Sequence, residues 1–450
     1  MIIRPVKTIG GELQLPGDKS ISHRAAMLSA IATNETQISN FASSADCAAT
    51  LDCLEKLGVR IERDKANIWI QGVGKNNLKK SARALDCQNS GTSVRLLSGI
   101  LAGQNFATEL IGDESLQKRP MRRIIEPLEL MTAKIESNND RLPLHIYGKP
   151  NLRAISYALP VASAQVKSCV LLAGLFANGQ TTVISKQSAI RDLQLTTGVM
   201  RDHTERMLRW FGVEVIDDFI ESEDDFIFHQ TSISGDSELT SKGLLEIPSD
   251  VSSAAFFLVA AACLKNSKLR FKNVGLNPTR TKILQVLENF GAQLKIENKR
   301  EINNEPIGDV EITGGLNLNQ AAENKNILRG EIIAGLIDEL PILSILGTQL
   351  ENGLEIRDAA ELRVKESDRI SAIVENLRRM NARVEEFPDG LRIEKSDLNG
   401  AAINAHGDHR IAMAFAVAGL IARGETKILD SDCVKVSFPE FFEVLESVRQ

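Results

Sequence analysis

Seven basic residues stand where the chain turns from short polar stretches into apolar runs: Lys19 and Arg24, Arg119, Arg201, Lys365 and Arg369, and Arg410. Acids occupy the same places at Asp338 and Glu366. One arginine at a helix start is usually a solvated charge, and one acid there is well explained as a cap. Repetition changes the weighing. A helix start presents unpaired backbone N–H groups and the positive end of aligned peptide dipoles, so it attracts phosphate or carboxylate. If several such starts faced a common cleft, their cations would hold more than one anionic group, each charge-assisted hydrogen bond contributing about 1.5–3 kcal/mol. A carboxylate set among those cations stays ionised and can take a proton from a bound hydroxyl. The chemistry within reach is therefore acid–base work on anionic substrates.

Six openings position these residues: Lys19-Ser20, Asn89-Ser90-Gly91-Thr92, Ser163-Ala164-Gln165, Asp250-Val251-Ser252-Ser253, Asp338-Glu339 and Asp408-His409-Arg410. Each runs into about ten apolar residues that read as a buried helix, and the first residues are 70, 74, 87, 88 and 70 positions apart. Between them lie amphipathic stretches with apolar residues three and four apart: 45–57, 121–135, 202–211, 279–290, 367–380 and 438–448. Gly or Asn closes most of these, as at Gly58, Gly212, Gly291 and Asn381, the usual left-handed stop. Short β-rich stretches follow, at 59–61, 68–70, 213–216, 293–296 and 392–394. Two helices and a few strands per unit predict an α/β protein of six similar units joined by parallel β-helix-β connections. The polar stretch 217–242 reads as a hairpin or crossover near a domain border, and 298–326 as a surface excursion.

Length and charge bound the rest. At roughly 150 residues per domain, 450 residues suggest two or three domains, and the repeat favours an even split. A net charge of −6 argues against a general nucleic-acid or membrane-surface role, which needs an extended basic face. The six cysteines show neither CxxC nor metal-ligand spacing with histidine and read as reduced, mostly buried thiols. Residues 1–10 lack an apolar signal core and no apolar run spans a bilayer, so a cytoplasmic protein is expected. Gly72-Val73-Gly74-Lys75 has no second glycine at phosphate-loop distance and no Ser or Thr after its lysine, and His406 and His409 lack an accompanying acid or thiol ligand set.

Leu15-Pro16-Gly17-Asp18-Lys19-Ser20-Ile21-Ser22-His23-Arg24, Asn89-Ser90-Gly91-Thr92, Arg119-Pro120-Met121, Leu362-Arg363-Val364-Lys365-Glu366-Ser367-Asp368-Arg369 and Asp408-His409-Arg410 together resemble the 3-phosphoshikimate 1-carboxyvinyltransferase (EPSP synthase) family over essentially the whole chain. The resemblance implies transfer of the enolpyruvyl group of phosphoenolpyruvate to the 5-hydroxyl of shikimate 3-phosphate by addition and elimination, releasing phosphate on the route to chorismate. It implies the family's two-domain inside-out α/β barrel, three repeats per domain, with residues 1–18 plus 245–450 forming one domain and 19–244 the other, substrates between them. It further implies a monomer, no metal and no other cofactor.

Carried over by position, the resemblance makes Lys19, Ser20, Arg24, Ser163, Ala164, Gln165, Arg201, Asp338 and Lys365 ligands of shikimate 3-phosphate. Lys19, Gly91, Arg119, Gln165, Arg369 and Arg410 correspond to the phosphoenolpyruvate set. Asp338 takes the place of the base, Glu366 that of the acid, and Lys19 stabilises developing charge. Three positions depart from common family usage. Ala164 replaces a serine and leaves only its N–H to serve, Leu96 replaces a proline, and the lysine expected two residues before Phe438-Pro439 is displaced from Val436 to Lys435. On an extended strand that displacement turns Lys435 away from the site. The family is the target of glyphosate, and Gly91 has no side chain to crowd that inhibitor. The related transferase acting on UDP-N-acetylglucosamine is disfavoured because it has Lys-Asn at Lys19-Ser20 and usually a cysteine within 112–119, which this chain lacks. A non-catalytic repeat scaffold gives no reason for acids to join so many cations at helix starts.

Overall fold

The computed structural model describes residues 1–188, 200–221, 226–316 and 326–450. Its principal helices alternate in kind along the chain: α1 (Lys19–Ile31), α2 (Ala45–Lys56), α3 (Gly91–Ala102), α4 (Arg122–Leu130), α5 (Ala164–Gly174), α6 (His203–Trp210), α7 (Val251–Cys263), α8 (Lys282–Asn289), α9 (Leu340–Gly347), α10 (Arg369–Arg379), α11 (His409–Ile421) and α12 (Phe441–Ser447). The odd-numbered helices are buried nearly all round and grow from the six polar openings, as the sequence predicts. Their starts share one device. Asp18, Ser90, Ser163, Asp250 and Asp408 each accept a hydrogen bond from a backbone N–H of the first turn, satisfying a donor that would otherwise be buried without a partner. The exception, α9, opens on Leu340-Pro341, where proline has no N–H to satisfy.

The even-numbered helices bury one face and close alike. In all but α12, a residue in the left-handed conformation follows the helix (Gly58, Thr132, Gly212, Gly291 and Asn381), and the next residue donates back five positions, as Val59 N does to Leu54 O at 3.1 Å and Ala382 N to Leu377 O at 2.9 Å. The expected helix 121–135 is shorter for this reason: it stops at Leu130, and Lys134–Ser137 is a strand. Beyond Leu128 the apolar residues Met131, Ala133 and Ile135 alternate at a spacing of two, which suits a strand.

The main sheets are mixed: the expected parallel β-helix-β connection spans α3, α5, α9 and α11, and antiparallel strands complete the sheets. In each, one edge strand runs parallel to the strand after a buried helix, and the remaining strands are antiparallel: Leu85–Asp86 lies parallel to Ala107–Ile111, followed by Leu144–Tyr147 and Lys134–Ser137. Among the described residues five sheets have this four-stranded order, a three-stranded sheet is completed by the N-terminal strand Ile2–Ile3 against Thr426–Leu429, and Leu152–Arg153 forms a separate parallel pair with Ala177–Asn178. Hairpins at Val215–Glu221 with Phe226–Ser234, and at Gln293–Ile302 with Glu305–Thr313, account for most of the two polar stretches; 222–225 and 317–325 lie outside the described residues.

The chain forms two compact units, 1–16 with 248–301 and 306–450, and 17–247 with 302–305. Both main crossings fall between a strand and the helix that follows it, so each of these strands pairs, inside its own unit, with the strand after a different helix. Gly10–Leu13 lies parallel to Lys268–Gly275 after α7, and Leu244–Glu246 lies parallel to Glu35–Ser39 after α1. Each unit has its own apolar core. Among the described residues no helix is long and apolar enough to cross a membrane.

Within the unit of residues 17–247, α3 and α5 approach closely at Gly99. A Cβ there would stand 2.3 Å from the carbonyl oxygen of Cys169. Gly99→Ala is therefore expected to force the helices apart and cost about 1–3 kcal/mol, read as a lower urea midpoint. An unchanged midpoint would show slack between these helices.

Candidate active site

In the unit of residues 17–247, the starts of α1, α3 and α5 bear one polar network. Lys19 is the first residue of α1, and its Nζ lies 2.9 Å from Asp46 Oδ2 at the start of α2. Gln165, in the first turn of α5, accepts from Arg95 Nη1 at 2.6 Å and donates to Thr92 Oγ1 at 3.1 Å, which ties α5 to α3. Arg119 follows a single helical turn, Glu114–Gln117, and donates to Asn89 Oδ1 at 2.6 Å and Ser115 Oγ at 3.2 Å. Gly91 opens α3 beneath both arginines: a Cβ there would lie 2.9 Å from Arg95 Nη1 and 3.3 Å from Arg119 Nη1. The absent side chain leaves these guanidinium groups their present positions. Ser163 spends its hydroxyl on the cap of α5, Ala164 is the helix's first residue, and Ser20 gives its carbonyl to Arg24.

Arg24 is almost fully enclosed. It donates to Thr204 Oγ1 at 2.7 Å, Ser168 Oγ at 2.8 Å and Ser20 O at 2.9 Å, and burial lowers its pKa to about 10. It joins α1, α5 and α6. Arg201 lies half-buried just before α6 and contributes to the field that Arg24 experiences.

Behind Lys19 and Gly91 runs a buried chain of hydroxyls. His23 Nδ1 and Thr50 Oγ1 share a hydrogen bond of 2.7 Å, Thr50 bonds Ser93 Oγ at 2.6 Å, and Ser93 bonds Ser90 Oγ at 2.7 Å. Burial first, and then Lys19 and Arg24, push the His23 imidazole well below its ordinary pKa. The unfolded chain takes up a proton near pH 6.5 that the folded chain refuses, so stability falls as pH drops below that value. The expected loss from this group is about 1 kcal/mol between pH 7 and 5.5. Unfolding free energies of the wild type and His23→Gln at both pH values check it; an equal acid response would assign the loss elsewhere.

In the other unit, acids and arginines alternate around Asp338. Its Oδ1 lies 3.8 Å from Arg369 Nη1, its Oδ2 lies 3.9 Å from Arg280 Nη1, and its carbonyl accepts from Arg410 Nη1 at 2.6 Å. Glu366 Oε2 accepts from Arg369 Nη2 at 2.5 Å. Arg369, 1% exposed, also donates through Nε to Asp408 Oδ2 at 2.8 Å. Burial opposes its charge, but Asp408, Glu366 and Asp338 together hold its pKa above the ordinary arginine value. Asp408 is held below the usual carboxylate range: burial works against ionisation, and Arg369 outweighs it. Lys365, at the end of the 3-10 turn Ala360–Val364, donates to Glu361 at 3.1 Å.

The sequence-predicted residues thus fall into two networks, one in each unit. Lys19, Gly91, Arg119 and Gln165 cluster in one, and Asp338, Glu366, Arg369 and Arg410 in the other. Arg369 presents no exposed face, because its guanidinium is spent on acids. Lys435 lies in a 3-10 turn, Ser431–Val436, rather than on a strand; its side chain is 66% exposed and pairs with Asp432 at 2.6 Å. Leu96 leaves α3 unbroken. Lys75 of the glycine-rich stretch donates to the carbonyls of Leu175, Gly235 and Ser237, a structural tie. Arg95 and Arg280 were not anticipated. The available signal for Arg95 was a charge inside an apolar helix, which burial obliges to find a partner.

The chain matches the family described as EPSP synthase (3-phosphoshikimate 1-carboxyvinyltransferase) over residues 3–445. It is 44% identical over 450 residues to the 3-phosphoshikimate 1-carboxyvinyltransferase of Solibacter usitatus, covering 100% of this chain and 99% of that one. To the protein of the same name from Bacillus subtilis it is 45% identical over 452 residues, covering 99% and 98%. Among solved structures it resembles EPSP synthase from Acinetobacter baumannii, with a TM-score of 0.81 at 40% identity and coverage of 100% and 98%. Capped apolar helices bearing cations in one unit, and paired acids on a buried arginine in the other, accompany a match along nearly the whole chain, which therefore belongs to the EPSP synthase family.

Proposed function

We propose that Asp338, Glu366 and Lys19 carry out the family's reaction, the transfer of the enolpyruvyl group from phosphoenolpyruvate to shikimate 3-phosphate in aromatic biosynthesis. The observation that carries the reading is the meeting of two carboxylates on one arginine, with Asp338 at 3.8 Å and Glu366 at 2.5 Å from Arg369. A base and an acid held beside a common cation suit an addition that removes one proton and supplies another. Asp338 takes the proton of the 5-hydroxyl as its oxygen bonds to the central carbon of phosphoenolpyruvate. Glu366 delivers a proton to the methylene carbon, which becomes methyl. Loss of a proton from that methyl group and departure of phosphate then restore the double bond. Lys19 balances negative charge as it grows on the reacting oxygens.

Shikimate 3-phosphate is assigned to Lys19, Ser20, Arg24, Ser163, Ala164, Gln165, Arg201, Asp338 and Lys365, with Arg24 acting as the tie between α1, α5 and α6. Phosphoenolpyruvate is assigned to Lys19, Gly91, Arg119, Gln165, Arg369 and Arg410. Arg369 reaches it only when the substrate's anionic groups displace Glu366 or Asp338. Displacement takes Arg369 from Glu366, and weakening a carboxylate's cation contacts favours its protonated form. In this reading the two units close over the substrates and exclude water, and the protein acts as a cytoplasmic monomer without metal.

Phosphate release from phosphoenolpyruvate, measured with each acceptor in turn, tests the assignment. Release is expected with shikimate 3-phosphate and not with UDP-N-acetylglucosamine; release with neither rejects the reading. Glyphosate is expected to compete with phosphoenolpyruvate because Gly91 leaves the Arg95 and Arg119 groups uncrowded. A rate unchanged at glyphosate well above the phosphoenolpyruvate concentration would overturn this.

A further inference from the structure

We infer that Arg280 is a positioning residue for Asp338, fixing its carboxylate and keeping it ionised for proton abstraction. The inference rests on Asp338 being the base. Arg280 is 4% exposed and is turned inward by a tight start to α8: Asn277 Oδ1 accepts from Thr279 N at 2.9 Å and Thr279 Oγ1 at 2.7 Å, and Asn277 O accepts from Arg280 N at 2.8 Å. Its Nη2 donates to Ser252 Oγ at 2.5 Å and lies 3.9 Å from Asp250 Oδ1, while its Nη1 lies 3.9 Å from Asp338 Oδ2. Ser252 in turn bonds Glu339, which anchors the fork from the far side.

Charge balance decides the size of the effect. Asp338 is faced by Arg280 from the turn before α8, Arg369 from α10 and Arg410 from α11, with the carboxylates of Asp250, Glu339, Glu366 and Asp408 behind those arginines. Arg369 is shared with Asp408 and Glu366, and Arg410 meets the Asp338 carbonyl and Glu339. Arg280 therefore supplies the cation least committed to another catalytic acid. Without it, neighbouring carboxylates make Asp338 harder to ionise.

The test compares Arg280→Gln, Arg280→Lys and Ser252→Ala with wild type and with Asp338→Asn. Arg280→Gln is expected to lower kcat about 30-fold or more at pH 7 and to move the acid limb of its pH profile upward by about one unit or more. KM for both substrates should stay within about threefold, the sign of transition-state loss. Arg280→Lys should restore the acid limb, and Ser252→Ala, which keeps the charge but loosens the fork, should lower kcat without moving it. A folded Arg280→Gln enzyme with an unshifted profile overturns the inference, as does a misfolded one if Ser252→Ala keeps full kcat. If instead Asp338→Asn keeps its rate, the base assignment fails first.

Discussion

Asp338→Asn is expected to lower kcat about a thousandfold while the protein stays folded, the middle of the range for loss of a general base. The substitution keeps the size of the side chain and removes its charge. Three arginines locate the residue, but only Arg410 holds it through the backbone, a bond at 2.6 Å that asparagine retains. The arginines lose one acid and still face Asp250, Glu339, Glu366 and Asp408, so no buried cation is stranded. Single-turnover phosphate release measures the chemical step, and far-UV circular dichroism confirms the fold. Arg119→Ala should separate cleanly from it, raising KM for phosphoenolpyruvate, because Arg119 lies in the other network. A rate within tenfold of wild type for Asp338→Asn would remove Asp338 from the mechanism.

The largest stability effect is expected one turn below the Ser163–Gln165 opening. Lys167 Nζ pairs with Glu205 Oε1, and both side chains are 1% exposed. Removing either partner alone leaves a charge in a dry interior, so Lys167→Met or Glu205→Gln should cost about 3–5 kcal/mol. Replacing both with apolar residues should cost far less, since a well-packed apolar pair often equals a buried ion pair. Urea unfolding of the two single variants and the double variant closes the cycle. Equal losses in single and double variants would show that the pair is not coupled. Because Lys167 lies on α5 and Glu205 on α6, beside the Arg24, Ser168 and Thr204 hydrogen bonds, the single variants should also weaken shikimate 3-phosphate binding.

Much of this architecture is legible in local pattern. Apolar runs without a polar stripe announced the six buried helices, since only burial on all sides tolerates them, and the small polar residues before them were read as starts because a buried N–H needs an acceptor. Lys19, Gly91, Asp338 and Arg410 stand at those starts. The failed boundary at 121–135 has the same origin, because Met131, Ala133 and Ile135 fit a strand once a left-handed Thr132 breaks the helix.

Partnership across the chain was beyond local pattern. Arg24 and Arg369 read like Arg119 and Arg410 at helix starts, yet Arg369 is enclosed by Asp408, Glu366 and Asp338, and Arg24 by Thr204 and Ser168. Those partners lie up to 180 residues away. Arg95, inside an apolar helix, and Arg280, in the turn before α8, gain their meaning only from Gln165 and Asp338. The pairing of Gly10–Leu13 with Lys268–Gly275 and of Leu244–Glu246 with Glu35–Ser39 belongs here too, because strand pairing across such long separations depends on which edge is open after the helices have packed. Periodicity reports burial one element at a time, whereas the commitment of a charge is settled only when distant segments share a low-dielectric interior.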